Sequence, residues 1–277
     1  MTAPRADAGV EGGGLTTTLD AFLGGAVMLH QPARGYRAGS DAVLLAASCA
    51  VIEAAPVRVL DVGAGVGAVG LCLARRITSA DVTLMEPDAR LAALARDNVA
   101  LNGFSVRVRV IEASVGAEVA SHAGAGLEAD SFDVALANPP YYAAAAGTLS
   151  PAPMKVSAHA MAPALGLEDW ARFMARVVRP GGRIGIVHRA ASLIELLSAL
   201  SPRFGELTIL PLHPRPGRPA LNVIVSGRKG SRAAPTVLPG LVLHGPTGNG
   251  YEADVAAVLR APLPLAVPGL SGRHPVA

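Results

Sequence analysis

Along residues 57–227, the hydrophobic positions follow two alternating periodicities. Short runs rich in valine, leucine and isoleucine predict strands, and the segments between them carry apolar residues every three to four positions, which predicts helices. The predicted strands span 57–63, 81–87, 106–113, 132–137, 183–188, 206–212 and 220–227. The predicted helices span 67–77, 88–103, 166–182 and 191–200.

The alternation of strands and helices predicts a parallel sheet with helices on both faces. The last two predicted strands have only a loop between them, and such a short connection makes that pair antiparallel. The fold class is therefore α/β, a mostly parallel, doubly wound sheet that ends in an antiparallel hairpin. Because no linker divides the chain, we expect a disordered tail over residues 1–18, one domain over 19–265 and a C-terminal tail over 266–277.

Composition limits the location and the metal chemistry. Hydrophobic residues make up 51 % of the 277 positions, but no stretch approaches the roughly 18 uninterrupted apolar residues of a spanning helix. The N-terminus lacks the apolar core of a signal peptide, so we expect a cytoplasmic location. The two cysteines, Cys49 and Cys72, lie in apolar segments, and no cysteine–histidine pair has the spacing of metal ligands. We therefore expect no membrane contact and no metal.

The net charge of +3 is modest, but its distribution is uneven. No acidic residue lies between Glu206 and Glu252. Five basic residues fall in that interval: Arg215, Arg218, Arg228, Lys229 and Arg232. This basic stripe is either an electrostatic footprint for nucleic acid or an ordinary solvated surface, and the charges alone do not separate the two.

A glycine-rich loop, "DVGAGVGAVG" at 61–70, joins the first predicted strand of the sheet to the helix that follows. Glycines at such a turn let the backbone approach a ligand closely, and Glu86, at the end of the next strand, has the position of a ribose-binding acid. NAD and S-adenosyl-L-methionine (SAM) both fit this pattern. Asp61 favours SAM, because a carboxylate repels a diphosphate and attracts an ammonium or a sulfonium.

The sequence "NPPYY" at 138–142 directly follows the predicted strand 132–137. In a parallel sheet this places it beside the glycine loop. Exocyclic amines are poor nucleophiles, and two fixed acceptors, the Asn138 side-chain oxygen and the Pro139 carbonyl, would orient such an amine for methyl transfer. Pro140 stiffens the turn, and Tyr141 offers a face on which a base extruded from its helix can stack.

These motifs together resemble the class I SAM-dependent amino-methyltransferases. Within that group, "GYRAGSDAVLLAAS" at 35–48 and "LVLHGPTGNGYEADVAAVLRA" at 241–261 resemble segments of the bacterial enzymes that methylate N6 of an adenine beside the anticodon of a valine tRNA. The resemblance implies a Rossmann-like seven-stranded sheet, SAM as the cofactor and tRNA as the partner. It leaves open which tRNA and which nucleotide are modified, and the oligomeric state.

The resemblance also implies roles for single residues. Asp61, Gly63 and Gly65 would hold the methionine part of SAM, and Glu86 its ribose hydroxyls. Asn138 would border the cofactor and, with Pro139, Pro140 and Tyr141, hold the target adenine.

Two further parts of the resemblance are less direct. Arg37, Gly39 and Asp41 would lie over the cofactor pocket, although Ser40 or Asp41 could instead cap a helix. Ser114 stands where the family usually has an aspartate that binds the adenine of SAM, and a hydroxyl binds that amine less strongly than a carboxylate does.

Candidate contacts to RNA are Tyr141 and Tyr142 of the "NPPYY" sequence and residues of two loops. The loop 211–220 should emerge on the side of the glycine loop, where Arg215 and Arg218 could reach phosphates. The long segment after Tyr142 contains His159, which is either an RNA contact or a packing residue.

Three other functions remain open. An enzyme that methylates a glutamine side chain of translation release factors would use the same Asn-Pro-Pro-Tyr sequence. An NAD-dependent oxidoreductase would explain the glycines and Glu86, but not Asp61 or "NPPYY". A non-catalytic RNA-binding protein that no longer binds SAM would explain only Ser114.

Overall fold

The computed structural model describes residues 11–12, 15–35, 37–49, 57–140 and 165–270. The strands in these ranges are β1 (Glu11–Gly12), β2 (Leu15–Phe22), β3 (Val27–Pro32), β4 (Val57–Val62), β5 (Ala80–Met85), β6 (Val108–Ile111), β7 (Phe132–Ala137), β8 (Val178–Arg189), β9 (Phe204–His213), β10 (Asn222–Lys229), β11 (Thr236–Val237) and β12 (Leu241–Val242). The α-helices are α1 (Ser40–Ser48), α2 (Ala68–Arg76), α3 (Ala89–Leu101), α4 (Val119–Gly124), α5 (Leu167–Val177), α6 (Leu193–Leu200) and α7 (Ala253–Arg260).

The main sheet confirms the predicted fold class. Its strand order is β11-β9-β10-β8-β7-β4-β5-β6. Strand β12 also pairs with β9, further along β9 than β11 does. Strands β4 to β8 are parallel, whereas β10 is antiparallel to both β8 and β9. Strand β9 therefore runs in the same direction as β8, and the loop that follows it emerges at the carboxyl edge of the sheet. The seven predicted strands form its body, to which β11 and β12 add two short edge pairs.

Buried side chains cover both faces of this sheet. One core packs α1, α2 and α7 against the strands, and the other packs α5 and α6. Central parallel strands are shielded from water on both sides, which explains why their sequences are continuous apolar runs. The two cores position the strand ends, and with them the loops that carry the candidate site.

The N-terminal segment differs from the predicted tail. Residues 15–18 belong to β2, which pairs with β3 in a separate antiparallel sheet. Leu23, Val27 and Leu29 are buried in the core, so their apolar area holds this sheet against the body of the protein. Residues 15–18, which the sequence places in the tail, thus belong to a strand, while residues 1–10 lie outside the described residues.

Two other boundaries differ from the sequence prediction. Helix α5 ends at Val177, and Pro180 lies inside the 12-residue strand β8 rather than closing the helix. At the C-terminus, Val267 and Leu270 pack against the core, beyond the predicted boundary at residue 265. At the C-terminus, the burial of these two side chains extends packed structure past the local signal. Among the residues that the structure describes, every helix is too short or too polar to cross a lipid bilayer.

Candidate active site

A narrow cleft opens at the carboxyl edge of the sheet. Its walls come from five parts of the chain: the end of β3, the start of α1, the glycine loop with the start of α2, the start of α3 at Leu91, and the residue that follows β7. Asp61, Gly63 and Gly65 border it together with Asn138, which lies far from them in the sequence. The parallel strands bring their ends together there, as the sequence predicts.

The glycine loop has a backbone that other residues would strain. Gly63, Gly65 and Gly67 have φ angles of 66°, 57° and 90°. A Cβ atom at Gly63 would lie 2.6 Å from the Trp170 ring. Glycine is therefore favoured at all three positions because the φ angles are positive, and at Gly63 also because the Trp170 ring leaves no room for a side chain. The backbone of this loop lines the cleft.

Asp61 is a buried carboxylate at the base of the cleft. Asp61 is only 1 % exposed, and its Oδ2 accepts a hydrogen bond from the Gly70 backbone N–H at 2.8 Å. Burial raises the pKa of Asp61 to about 7; the Gly70 bond opposes this rise and the nearby Glu86 adds to it. A cation bound in the cleft would stabilise the ionised form.

Glu86 follows β5 and holds the glycine loop. Its Oε2 accepts from the Gly65 N–H at 2.8 Å, and its Oε1 accepts from the Asp88 N–H at 2.9 Å. Burial raises the pKa of this carboxyl, and the two backbone bonds partly offset that effect. Glu86 therefore holds the loop from behind, but it is not among the residues that line the cleft, and ribose binding by Glu86 remains a prediction.

The residues after β7 lie partly outside the described ranges. Asn138 borders the cleft, Pro139 is buried and Pro140 is exposed. Tyr141, Tyr142 and His159 fall outside the described residues, so their predicted roles remain predictions.

The first turn of α1 and the segment before it line the cleft through Ala42 and Ala38. The predicted residues Arg37, Gly39 and Asp41 are not among the residues that line it. Arg37 instead forms an ion pair with Asp20 and donates to Thr18 Oγ1 at 2.7 Å, which ties this segment to β2.

Helix α1 starts without a side-chain cap. Gly39 occupies the N-cap position, so neither Ser40 nor Asp41 caps the helix. Asp41 Oδ2 accepts from Asn222 Nδ2 at 2.9 Å. Burial raises the pKa of Asp41, while Asn222 and Arg189 act in the opposite direction. Asp41 thus connects α1 to the start of β10.

Ser114 is half-buried in the loop after β6. Its hydroxyl accepts from the Gly116 N–H at 3.3 Å, and its carbonyl accepts from His122 Nε2 at 2.7 Å. It is not among the residues that line the cleft. Adenine binding by the Ser114 hydroxyl remains a prediction.

The two arginines of the loop after β9 differ in their surroundings. Arg215 donates to the carbonyls of Gly245 and Gly248 at 2.7 and 2.6 Å, which fastens the loop before α7. The Arg218 side chain is exposed. Of the two, Arg218 is the one whose side chain is turned to solvent at this edge.

Sequence reasoning missed three polar or packing residues of the site. Gln31 is 2 % exposed and lines the cleft together with Pro32. Asn98, in α3, is fully buried and donates to the carbonyl of Val66 in the glycine loop. Asn98 could have been noticed as an amide on the apolar side of a predicted helix, whereas Gln31 and Pro32 have no such signal.

Known proteins with similar sequences are methyltransferases. Residues 40–161 match the family model of the methyltransferase small domain. The tRNA1(Val) (adenine(37)-N6)-methyltransferase of Aeromonas salmonicida is 30 % identical over 165 residues, 58 % of this chain and 63 % of that protein. The enzyme of the same name from Parabacteroides distasonis is 30 % identical over 172 residues, 60 % of this chain and 67 % of that protein. The chain thus spans somewhat less than two thirds of the first relative's length.

Solved structures agree with the fold. A predicted O-methyltransferase, protein Atu636 from Agrobacterium tumefaciens, has a TM-score of 0.66 and 31 % identity, and the match covers 81 % of this chain and 97 % of that one. The 16S rRNA N2 G1207 methyltransferase of T. thermophilus, solved with AdoMet and guanosine, has a TM-score of 0.53 and 20 % identity over 77 % of this chain and 50 % of that one.

Proposed function

Because this chain belongs to the SAM-dependent methyltransferases and is similar to the tRNA1(Val) (adenine(37)-N6)-methyltransferases, we propose that it methylates N6 of an adenine in tRNA, near the anticodon. It also carries the methyltransferase small domain. The observation that carries the proposal is one cleft bordered by both Asp61 and Asn138. A buried carboxylate and an amide of an Asn-Pro-Pro sequence then face the same space. This pairing suits a cationic methyl donor and an amine acceptor.

The residues of the cleft fit SAM by their chemistry. Asp61 is a buried carboxylate that a nearby positive charge would stabilise, and the backbone of the glycine loop is open to a ligand. Glu86 lies where it can accept from ribose hydroxyls once its bond to the Gly65 N–H is shared. SAM supplies an activated methyl group on a sulfonium. The chain itself supplies the charge, the shape and the orientation.

Asn138 and Pro139 act on the acceptor. The lone pair of an exocyclic amine is delocalised into its ring, so the nitrogen is weakly nucleophilic. The Asn138 side-chain oxygen and the Pro139 carbonyl each accept a hydrogen bond from one N–H group of the amine. These two bonds favour a tetrahedral nitrogen, which frees its lone pair for in-line attack on the methyl group. As the carbon–nitrogen bond forms, the bond between the methyl carbon and the sulfonium sulfur would break, leaving a neutral thioether, and the methylated nitrogen would then release a proton to water. Tyr141 stacks on the base.

RNA contacts belong to the same edge of the sheet. The exposed Arg218 emerges there after β9 and can neutralise a phosphate beside an extruded base. The similar enzymes are named as methyltransferases of adenine 37 in tRNA1(Val), which favours an anticodon-loop adenine here.

Methyl transfer from labelled SAM to bulk unmodified tRNA, followed by digestion and mass analysis of the nucleosides, tests the proposal. We expect N6-methyladenosine with the wild-type protein. Asn138→Ala should lower the transfer rate about 100-fold, because one oriented acceptor is lost, with a much smaller change in SAM affinity.

The outcomes separate the candidate functions. Labelled protein glutamine in a release factor, with no labelled tRNA, would replace the tRNA proposal by glutamine methylation, because a carboxamide nitrogen poses the same chemical problem. A protein that does not bind SAM in calorimetry would contradict the proposed function as a whole. Binding of NAD instead would point to the oxidoreductase.

A further inference from the structure

We propose that Asn98 is a positioning residue of the cofactor cleft, which joins its two walls so that the glycine loop and the end of β3 keep a fixed separation. The inference rests on the proposed SAM site and extends it to a residue of α3. Its basis is a set of hydrogen bonds in which one fully buried amide reaches both walls.

Asn98 of α3 and Asn102, the C-cap residue of that helix, take the place of a neighbouring strand for β3. Asn98 and Asn102 lie four residues apart and therefore share a face of the helix. Asn98 Oδ1 accepts from the His30 N–H at 2.7 Å, and its Nδ2 donates to the His30 carbonyl at 3.0 Å. Asn102 makes the same two bonds to Met28, at 2.8 and 2.7 Å. The pair satisfies alternate backbone groups on one edge of β3, as a strand would.

The two amides differ in their remaining bond. Asn98 Nδ2 also donates to the Val66 carbonyl, in the glycine loop, at 3.0 Å. Asn102 Nδ2 donates instead to the Asn98 carbonyl in its own helix, at 2.7 Å. Asn98 alone of this pair therefore connects the N-terminal sheet to the glycine loop.

Both ends of this connection belong to the cleft. Val66 lines it, and His30 immediately precedes Gln31 and Pro32, which line it from the other side. Gly65, the residue before Val66, donates its N–H to Glu86. The glycine loop is therefore held by the Glu86 carboxylate at Gly65 and by the Asn98 amide at Val66. Without Asn98 the buried Val66 carbonyl and the partly buried backbone groups of His30 would lose this hydrogen-bond partner, and the loop would shift to find others.

Asn102 provides a matched control. We expect Asn98→Ala and Asn102→Ala both to lower the melting temperature and to remove hydrogen-exchange protection, at the His30 and Met28 amides respectively. Only Asn98→Ala should weaken SAM binding, about tenfold or more by calorimetry, with a change of less than about twofold for Asn102→Ala. If Asn98→Ala does not fold, the pair Asn98→Ser and Asn102→Ser gives the same comparison with a smaller cavity.

The outcomes distinguish this inference from the proposed function. If the wild-type protein binds SAM and the two variants weaken binding equally, or if the Asn98 variant binds as tightly as wild type, Asn98 is only a structural residue and the inference is wrong. If the wild-type protein does not bind SAM, the proposed function fails and this inference fails with it.

Discussion

At the scale of single residues, the site depends on carboxylates kept in an unfavourable environment. Asp61 and Glu86 are both buried, and burial raises the pKa of each. Buried carboxylates with a raised pKa are frequent in binding sites, because a cationic ligand can supply the positive charge that stabilises their ionised form. The sequence predicted both residues, since each directly follows or ends a strand beside the glycine loop. It could not predict that Asp61 would titrate near neutrality.

The pH dependence of SAM binding tests the state of Asp61. Its pKa is about 7 in the folded protein, above the value of 3.8 for a free aspartate. Between these values the folded protein holds a proton that the unfolded chain has lost, so the contribution of Asp61 to stability decreases as the pH rises from about 4 to about 7 and is constant beyond. If SAM requires the ionised carboxylate, its affinity should rise roughly tenfold from pH 5.5 to pH 7.

Asp61→Asn is the control for this effect. An amide oxygen can still accept from the Gly70 N–H, but it does not titrate. We expect weaker SAM binding at every pH, a flatter pH profile by calorimetry, and a melting temperature that rises relative to wild type between pH 4 and pH 7. An unchanged pH profile in the variant would contradict the assignment.

At the scale of elements, the loop after β9 shows how a basic stripe divides into structural and exposed charges. Arg215 fastens the loop that precedes α7, and Arg228 and Lys229 donate to main-chain carbonyls at the other end of β10. Arg218 is exposed at the carboxyl edge. The sequence predicted the direction of β9, because the hairpin β9–β10 follows from the short loop. It could not predict which arginines would bind carbonyl groups of their own chain.

Arg215→Ala and Arg218→Ala should therefore have different effects. Arg215→Ala removes two bonds to carbonyls, so we expect the free energy of unfolding to fall by about 1–2 kcal/mol in urea titrations. Arg218→Ala should leave stability unchanged, weaken tRNA binding several-fold, and reduce the slope of log affinity against log salt by about 1. Equal loss of stability in both variants, or an unchanged salt slope for Arg218→Ala, would contradict this division.

At the scale of the whole molecule, two apolar cores on opposite faces of the sheet meet at the glycine loop. Trp170, from α5 and the second core, packs so closely on Gly63 that a methyl group there would lie 2.6 Å from the ring. On the other side, the N-terminal sheet closes the cleft with Gln31 and Pro32. The cleft is thus formed by the whole fold rather than by one motif.

The single tryptophan gives a direct measure of ligand binding. Because Trp170 contacts the loop that lines the cleft, we expect SAM to produce a saturable change in its fluorescence, with the same dissociation constant as calorimetry gives. Trp170→Phe should lose the signal and still bind SAM in the calorimeter. SAM binding in the calorimeter without any fluorescence change would place the ligand away from the glycine loop.

The sequence by itself determined the order of strands and helices, the antiparallel end of the sheet, and the meeting of Asp61 and Asn138 at one edge. These follow from local periodicity and from the rule that parallel strands end together. Only the tertiary structure decided that Asn98 would bind β3, 68 residues away, and that Asn222 would bind Asp41, 181 residues away. The reason is physical: burial is encoded in local patterns, whereas the partner of a buried polar group depends on which elements pack around it.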